Sequence, residues 1–432
     1  MSEIHLKQLR SVAREIFDAA LLAVDAREVT RRAITVEDNR IQIGETSVDP
    51  NKRIYVVGIG KAASAMAEAL DEALGDRIAE GIITSQLPST LPPHWQIFSS
   101  GHPLPNAESL QAAQATFQLL DKANSETAIV IFAVSGGGSA MIEWPVNDAI
   151  LLEDLKQANR ILVTCGATIG EINVVRRAFS VVKGGKLAQR ATKAEVVTLI
   201  ISDTNHGDAA SVASGPTLAP PNSTQTAEQI VAKYQLDKKL PATILRAIHE
   251  SPHASLTQFS RAAYYVLAEN QTAIDAAVSR ANSMGFRVIR AEEISEQPIV
   301  EGCERMIQRL MHESGPLCLI SGGEFSCPVR GDGLGGRNLE TVLRCAIGIA
   351  DNPEHIVVLS AGTDGIDGNS PAAGAIGDET SLRRAQALGL DASKFLARSD
   401  SFGFFESLGD AIITGPTGTN VRDLRVLLKT QG

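Results

Sequence analysis

Short, wholly apolar segments alternate with amphipathic ones along most of the chain, and this alternation is the strongest constraint on its fold. The apolar segments RIYVVGIG, AIVIFAVSGGG and EVVTLIISD have the length of buried strands. Helical apolar spacing lies between them, from Lys61 to about Leu74 and from Leu151 to Ala158. Strands buried on both faces are typical of a parallel sheet covered by helices. We therefore predict the α/β class, with mostly parallel, Rossmann-like sheets flanked by helices.

Turn-forming residues interrupt this alternation most strongly near the middle of the chain. The segment LAPP at 218–221 is followed by NSTQT, and DKKLPA comes soon after. A second series of strands and helices begins near Ala262. A chain of 432 residues has room for two or three domains. We predict two, an N-terminal Rossmann-like α/β domain at residues 1–240 and a C-terminal α/β domain at residues 241–432.

Charge and composition exclude several classes of protein. Forty Lys and Arg residues against fifty Asp and Glu residues give a net charge of −10. Such a chain lacks the broad positive field that nucleic acid or an anionic membrane requires, so we expect neither as a partner. No cysteine spacing suits a zinc site or a disulfide framework. The N-terminus lacks the apolar core of a signal peptide, and no uncharged run is long enough to span a membrane, so we expect a cytoplasmic protein.

The loop after the first buried strand, GIGKAA, is the first candidate for ligand binding. Ligands of open parallel sheets bind beyond the carboxyl ends of the strands. Gly58, Gly60 and Ala63 match the dinucleotide fingerprint GxGxxG/A, a weak signal by itself. Lys61 opens the next helix, where a cation is unfavourable unless an anion binds there. We interpret Lys61 as a phosphate or carboxylate ligand and assign Gly60, beside it, to the substrate; an exposed lysine next to a tight turn is the alternative.

The loop SGGGS follows the next apolar strand. Its residues Gly136, Gly137 and Gly138 leave their backbone amides uncovered, and Ser139 comes next. Consecutive glycines of this kind form anion-binding nests. We predict that this loop binds the phosphates of a nucleotide, with a flexible turn as the alternative.

A cluster of polar and basic residues follows on GEINVVRRAFSVVKGGK. Asn173, Arg176 and Lys183 are spaced so that one helical face could carry them. In an acidic protein such a cluster suits the charge of a bound anion, and we assign Lys183 to the nucleotide and Asn173 and Arg176 to the substrate. The alternative is a helix end enriched in cations that suit its dipole.

Carboxylates stand at the ends of several apolar segments. Asp203 directly follows one of them in the first half, and Asp208 lies five residues further on. A carboxylate in such a place can bind Mg²⁺ or accept the proton of a hydroxyl group. We assign Asp203 to catalysis and Asp208 to a metal; capping of a helix is the competing interpretation.

The C-terminal half repeats this pattern. Glu324 ends one strand, and a glycine-rich loop leads from it to Arg337 at the start of a helix. Asp364 and Asp367 follow another strand in a loop rich in Asp and Gly, where metal or base chemistry competes with an ordinary Asx turn. An arginine reached through glycines suits a phosphoryl or carboxylate oxygen. We predict that Glu324 and Asp364 bind a metal and that Arg337 is catalytic.

Glycine loops, scattered cations and strand-end carboxylates are the parts that phosphoryl transfer requires. Nothing matches GxSxG, and no histidine has an evident nucleophile as a partner, so covalent hydrolase chemistry is disfavoured. These features favour a phosphotransferase only modestly over a dinucleotide dehydrogenase.

Between about Val56 and Leu424 the most distinctive segments are, in order, VVGIGKAASAMA, SGHPLPNAES, VSGGGSA, GEINVVRRAFSVVKGGKLA, ISDTNHGDAASVASGPT, SGGEFSCPVRGDGLGGRNLE, SAGTDGIDGNSPAAGA and TGPTGTNVRDL. Together they resemble the class II glycerate kinase family, which combines a DUF4147-type and a MOFRL-type region. The resemblance implies two α/β domains with the active site in the cleft between them. It also implies transfer of the γ-phosphoryl group of ATP, with Mg²⁺, to D-glycerate, usually giving 2-phosphoglycerate. Lys61 and Arg337 are the positions at which the family places its important lysine and arginine.

Two alternatives stay open at this point. One is a reductase of hydroxypyruvate or tartronate semialdehyde that uses NAD(P)H, and the other is a non-catalytic regulator that binds a nucleotide or a sugar acid. The sequence does not distinguish a 2-phosphoglycerate from a 3-phosphoglycerate product. It also leaves open whether other hydroxy acids are accepted and in which metabolic pathway the protein acts. The oligomeric state is open as well, and a homodimer is compatible with the sequence.

Overall fold

A computed structural model of the chain describes residues 2–37, 40–86, 89–221, 223–251 and 262–430. Its helices, in chain order, are α1 (Ser2–Ala23), α2 (Ala26–Arg32), α3 (Ala63–Leu74), α4 (Ala107–Ser125), α5 (Gly138–Met141), α6 (Leu152–Thr164), α7 (Ile169–Phe179), α8 (Lys186–Arg190), α9 (Ala227–Lys233), α10 (Ala242–Glu250), α11 (Asn270–Ser283), α12 (Ile299–His312), α13 (Arg337–Gly348), α14 (Ser381–Ala387), α15 (Ala392–Ala397) and α16 (Ser401–Leu408). Its strands are β1 (Ile34–Glu37), β2 (Arg40–Ile43), β3 (Thr46–Val48), β4 (Ile54–Ile59), β5 (Ile78–Ser85), β6 (Trp95–Ser99), β7 (Ile129–Ser135), β8 (Glu195–Ile201), β9 (Ala262–Ala268), β10 (Arg287–Arg290), β11 (Leu317–Gly323), β12 (His355–Gly362), β13 (Gly374–Asp378), β14 (Ala411–Ile412) and β15 (Asp423–Thr430). Short 3₁₀ helices occupy Gly75–Arg77 and Ala209–Ser214.

The chain forms two compact units. The first unit is Ala26–Leu267, and the second unit joins Met1–Asp25 to Ala268–Gly432. This division differs from the predicted ranges 1–240 and 241–432 in two places. Helix α1 belongs to the second unit, because its apolar face packs against α11, β12 and β15. Strand β9, which begins the predicted second series, is an edge strand of the first unit's sheet.

The first unit contains a six-stranded sheet in the order β6-β5-β4-β7-β8-β9. The neighbouring pairs from β6 to β8 are parallel, so their carboxyl ends lie along one edge. Every residue of β4 and β7 is buried, which explains why their sequences are wholly apolar. The prediction of a buried parallel sheet flanked by helices is confirmed for this unit.

The second unit also has the α/β class, but most of its strand pairs are antiparallel. The order is β10-β11-β15-β12-β13-β14, and only β10 and β11 form a parallel pair. The last strand, β15, enters between β11 and β12 and runs antiparallel to both. The structure therefore differs here from the expectation of mostly parallel sheets. Burial on both faces is more frequent in parallel strands, but it does not fix the direction of any one strand. Arg425 and Lys429 are both buried in β15, and two cations in one segment obscure its strand character.

No helix in the described ranges combines the length and apolar content needed to cross a bilayer. Charge pairs attach α1 to the second unit instead. Arg10 donates to both Asp378 and Asp410, whose side chains are only 2% and 6% exposed. Arg384 pairs with Asp410 at 2.6 Å, so the two acids share two arginines.

Arg10→Ala should destabilise the second unit by about 2 kcal/mol. The substitution removes hydrogen bonds to two nearly buried carboxylates, although Arg384 still neutralises part of their charge. The matched control is Arg14→Ala on the same helix, because Arg14 pairs with the exposed Asp18 and should cost less than about 0.5 kcal/mol. Urea unfolding measures both variants. Equal effects would contradict the role assigned to Arg10.

Candidate active site

Three loops of the first unit meet where β4, β7 and β8 end. These strands are adjacent and parallel, so the segments that follow them emerge at the same edge of the sheet. The backbone amide of Lys61 donates to the carbonyl of Gly136 at 2.9 Å. The amide of Ala62 donates to Oγ of Ser135, also at 2.9 Å. The structure thus joins the predicted loop of Gly60 and Lys61 to the predicted glycine loop.

Close neighbours of the glycine loop leave no room for side chains on it. A Cβ atom at Gly136 would lie 1.9 Å from Oδ2 of Asp203, which places that carboxylate directly against the loop. Gly137 has φ of +80°, and a Cβ there would lie 3.2 Å from Cγ of Lys61 and 3.1 Å from Cδ2 of His102. Lys61, Asp203 and His102 therefore surround a stretch of bare backbone, which is the arrangement of an anion-binding loop.

Lys183 lies beneath this loop and is almost completely buried. Its Nζ donates to the carbonyl of Ser139 at 2.8 Å and to Oε2 of Glu143 at 2.6 Å. Burial lowers the pKa of Lys183, and the negative charge of Glu143 opposes that shift. Glu143 also accepts from Oγ of Ser180. The Lys183 ammonium is therefore bonded to two groups of the protein itself, and one of these bonds helps to fix the backbone of Ser139.

The predicted substrate residues on α7 have separate surroundings. Arg176 is 7% exposed, and its Nε donates to Oδ1 of Asn159 at 3.0 Å, between α7 and α6. Burial lowers the pKa of its guanidinium. Asn173 is 2% exposed, and its Oδ1 accepts from Oγ of Ser214 at 2.8 Å. Ser214 is 2.7 Å from Oγ of Ser139, so Asn173 is linked to the glycine loop and Arg176 belongs to the helix packing.

Asp208 takes part in local structure at the start of the 3₁₀ helix Ala209–Ser214. Its Oδ1 accepts from Oγ of Ser211 at 2.8 Å, and its carbonyl accepts from the amide of Ser211. Asp208 stands directly before this helix, but its side chain accepts from a hydroxyl group and caps no backbone amide, so helix capping does not describe its contacts. Its side chain is half-buried.

The second unit contains the predicted arginine in ionic contact with two acids. Arg337 is the first residue of α13, and its guanidinium donates to both carboxylate oxygens of Asp423, at 2.5 and 3.1 Å. A third contact, of 2.7 Å, joins it to Oε1 of Glu324. Burial lowers the pKa of Arg337, but Asp423 and Glu324 outweigh burial, and the net shift is upward. Two predicted residues, Arg337 and Glu324, are thus in direct contact.

Two further carboxylates lie near Arg337. Asp367 accepts from the amides of Asn338 and Leu339, at 3.1 and 2.8 Å, and so caps the start of α13. Asp364 accepts from the amide of Ile366 at 3.3 Å, as in an Asx turn. A pocket of about 370 Å³ adjoins this part of the unit, and its lining includes Phe325, Cys327, Gly336, Arg337, Asp367 and Ser401.

Among the described residues, no group of three or more His, Cys, Asp or Glu side chains is arranged to hold a metal ion. The predicted metal ligands are divided between the two units, with Asp208 in the first and Glu324 and Asp364 in the second. Mg²⁺ in kinase sites is commonly held by only one or two carboxylates, with water and phosphate oxygens completing its shell. Single half-buried carboxylates of this kind fit that mode of binding.

Asp367→Asn should change the pH dependence of stability. Burial raises the pKa of Asp367 to about 7, whereas a free aspartate titrates near about 4. Between these values the native state holds a proton that the unfolded chain has lost, so stability from Asp367 decreases as the pH rises. We expect the Asn variant to gain stability relative to wild type from about pH 4 to about pH 7 and then to level off.

Urea unfolding at pH 5 and pH 8 measures this difference. Asparagine keeps one acceptor oxygen for the two helix amides, so the cap itself is partly retained. The control is Asp391→Asn, at an exposed helix cap of the same unit. A difference between the Asp367→Asn variant and wild type that is the same at both pH values would contradict the expectation.

Comparison with known proteins assigns both parts of the chain. The model described as "Domain of unknown function (DUF4147)" matches residues 12–249, and the MOFRL family model matches residues 317–423. A D-glycerate 2-kinase of Thermotoga maritima is 34% identical over 95% of this chain and 99% of that protein. A protein of Agrobacterium vitis named putative hydroxypyruvate reductase is also 34% identical, over 97% of this chain and 94% of that protein.

A solved structure gives the same result. The crystal structure of glycerate kinase from Thermotoga maritima superimposes with a TM-score of 0.82 and 31% identity, covering 98% of this chain and 99% of that one. The resemblance noted from the loop sequences is therefore confirmed. The chain belongs to the glycerate kinase family whose members combine a DUF4147 region with a MOFRL region.

Proposed function

We propose that the protein is a D-glycerate 2-kinase that transfers the γ-phosphoryl group of ATP to D-glycerate. The observation that carries this proposal is the bare backbone of Gly136–Gly138 with Lys61 and Asp203 against it. Full-length relatives that are named glycerate kinases support it. Phosphoryl transfer depends mainly on positioning and charge stabilisation, for which these groups are suited.

In the first unit we assign the phosphates of ATP to the amides of the glycine loop. Lys61 supplies positive charge for the transferring group, beside Gly60. Asp203 orients the attacking hydroxyl group of glycerate and accepts its proton. Lys183, predicted from the sequence to touch the nucleotide, has its ammonium on Ser139 and Glu143, and we propose that it supports the loop from below.

In the second unit we assign Arg337 to an oxyanion, either the carboxylate of glycerate or a phosphoryl oxygen. Asp423 and Glu324 hold its guanidinium by three contacts, which orients the planar group. The positive charge of Arg337 is thus already paired with two carboxylates before any ligand binds. A ligand oxyanion competes best where the guanidinium is still partly exposed, and its side chain is 35% exposed.

Asp208, Glu324 and Asp364 remain the proposed ligands of Mg²⁺, because each keeps a carboxylate that is not fully buried. When bound, Mg²⁺ would neutralise part of the charge of the ATP phosphates. We also keep a cytoplasmic location and a homodimer as parts of the proposal.

A reductase that uses NAD(P)H is the second candidate, because of the GxGxxA match and the name of the Agrobacterium relative. Dinucleotide-binding sheets carry an acid for the ribose at the carboxyl end of the second strand. In this sheet that place is held by Ser85, the last residue of β5. Glu80 lies near the start of β5 and pairs with Lys122. The geometry therefore favours the kinase.

Two assays on the purified protein test the proposal. Incubation with D-glycerate and Mg-ATP should release ADP, and ³¹P NMR of the product should show 2-phosphoglycerate. The parallel assay follows NADH in the presence of hydroxypyruvate and should show no consumption. Consumption of NADH without release of ADP would establish the reductase instead.

A further inference from the structure

A chain of three hydrogen-bonded side chains leads from the glycine loop of the first unit to a buried amide. Oγ of Ser139 is 2.7 Å from Oγ of Ser214, and Oγ of Ser214 donates to Oδ1 of Asn173 at 2.8 Å. The 3₁₀ helix that ends at Ser214 packs against α5 and α7, which carry Ser139 and Asn173. The carbonyl of Ser214 accepts from the amide of Gly184, and a Cβ at Gly138 would lie 2.7 Å from Cβ of Ala213.

The far end of this chain is unsatisfied. Nδ2 of Asn173 is buried and has no hydrogen-bond partner among the described residues. Asn173 as a whole is only 2% exposed. Buried amide donors are nearly always paired, because an unpaired one loses its hydrogen bonds to water and gains none in return. A donor in this position needs an acceptor that the described part of the protein does not supply.

The number of hydroxyl protons fixes the direction of the hydrogen bond at Ser139, the other end of this chain. The hydroxyl group of Ser214 has one proton, and Asn173 accepts it. Ser214 must therefore accept from Ser139, whose only hydroxyl proton is then used. The remaining capacity of the Ser139 hydroxyl is as an acceptor. It suits a hydroxyl donor or a cation and does not suit a phosphate oxygen, which also only accepts.

We propose that Ser139, Ser214 and Asn173 form a polarised chain that offers a donor, Nδ2 of Asn173, to an oxyanion of the ligand and an acceptor, Oγ of Ser139, to a hydroxyl group. Asn173 contacts the ligand, and Ser214 is a positioning residue that sets the direction of both ends. The inference rests on the proposed function, since D-glycerate carries both a carboxylate and hydroxyl groups. Phosphate contacts at Ser139 then come from its backbone amide. An oxyanion on Asn173 can belong to glycerate or to ATP.

The conformation of Ser214 supports a specialised role. Its φ is +62°, in the left-handed region that residues other than glycine rarely adopt. Ala213, next to it, has φ of +52°. Such strained residues persist where the surrounding structure holds them and are frequent at functional sites.

Asn173→Asp is the decisive variant, because it is isosteric and keeps an oxygen for Ser214 while replacing the free donor by an acceptor. We expect the KM of the affected substrate, D-glycerate or ATP, to rise about 100-fold while kcat changes little. If the oxygen and nitrogen of the Asn173 amide exchanged places, every hydrogen bond of the chain would run in the opposite direction, and Asn173 would have a free acceptor in place of a free donor. In that case Asn173→Asp would leave KM unchanged, and the inference would be overturned.

Ser214→Ala and Ser214→Gly provide the second test, in case a buried aspartate prevents folding. Both remove the link, so KM for the same substrate should rise about tenfold in each. Glycine also relieves the left-handed strain, so its unfolding midpoint should exceed that of the Ala variant. A structural role alone predicts that KM follows stability, and that result would overturn the inference.

The matched control is Thr198→Val, which removes the other buried unpaired polar atom among the described residues, Oγ1 of Thr198 within β8. Its KM values should equal those of wild type, with an unchanged or higher unfolding midpoint. If Asn173→Asp leaves the KM values for D-glycerate and ATP unchanged and lowers only stability, then a water molecule accepts the hydrogen bond of the Asn173 amide. That result would overturn the inference.

Calorimetric titrations of D-glycerate and of ATP into the same variants separate this inference from the proposed function. The inference alone is refuted if the wild-type protein phosphorylates glycerate and the Asn173→Asp variant has unchanged affinity for both ligands. A wild-type protein without kinase activity, whose affinity for ATP nevertheless falls about 100-fold in the variant, refutes the proposed function alone.

Discussion

Lys61→Met is expected to lower kcat/KM for glycerate phosphorylation about 10³-fold while leaving the fold intact. Methionine keeps the length and the apolar stem of lysine, so contact with the glycine loop at Gly137 is retained. The hydrogen bond from residue 61 to Gly136 uses the backbone amide and is also retained. The ammonium group is lost with its charge, and the transferring phosphoryl group then has no cation at this position.

Two further variants make the Lys61 result specific. Lys61→Arg restores a positive charge in a different shape and should recover part of the activity. Lys52→Met removes a lysine of the same unit that pairs with Glu195, and its kcat/KM should match wild type. The unfolding free energy of Lys61→Met should stay within about 0.5 kcal/mol of wild type. A loss of activity below tenfold would contradict the role of Lys61.

Arg337→Ala should produce the second large effect, a fall in kcat/KM of about 10³-fold together with lower stability. Removal of the guanidinium leaves Asp423, which is 1% exposed, as an uncompensated buried charge. Breaking a buried pair in this way costs about 3 kcal/mol or more. Activity and stability therefore change together in this variant, and a second substitution is needed to separate them.

The double variant Arg337→Ala with Asp423→Asn achieves that separation. It removes the buried charge along with its partner, so most of the lost stability should return. The activity should stay about 10³-fold below wild type, because the oxyanion of the ligand still lacks its cation. Recovery of activity in the double variant would show that Arg337 acts only through the fold.

The parts of the fold that were predictable are those whose burial is complete. Strands β4 and β7 are buried at every residue, so their apolar runs identified both the strands and the parallel class. Strand β15 was not predictable in this way, because Arg425 and Lys429 interrupt its apolar run. Arg425 is buried all the same, since it donates to Oγ of Ser321 and lies 3.9 Å from the centroid of Phe325.

The candidate site was predictable where strand adjacency brings residues together. Lys61, Gly136 and Asp203 follow three neighbouring parallel strands, so their proximity follows from the fold. Residue type alone did not show which basic side chains are buried and bonded to other residues of the protein. Lys183 and Arg176 are both buried against polar side chains, Glu143 and Asn159, that lie far from them in sequence.

Several residues of the site were missed, for identifiable reasons. Glu143 lies in the apolar segment AMIEW, where a lone acid indicates a buried partner, and this signal was present. Asp423 is the first residue of β15, a strand that was itself missed. Ser214 gave no signal, because a left-handed backbone angle at a serine cannot be read from sequence.

The most direct test is a crystal structure with D-glycerate and a non-hydrolysable ATP analogue bound. The phosphate oxygens should lie within hydrogen-bonding distance of the amides of Gly137, Gly138 and Ser139, with Nζ of Lys61 beside them. Phosphates bound elsewhere, with this loop and Lys61 facing only solvent, would contradict the assignment of the first unit to the nucleotide.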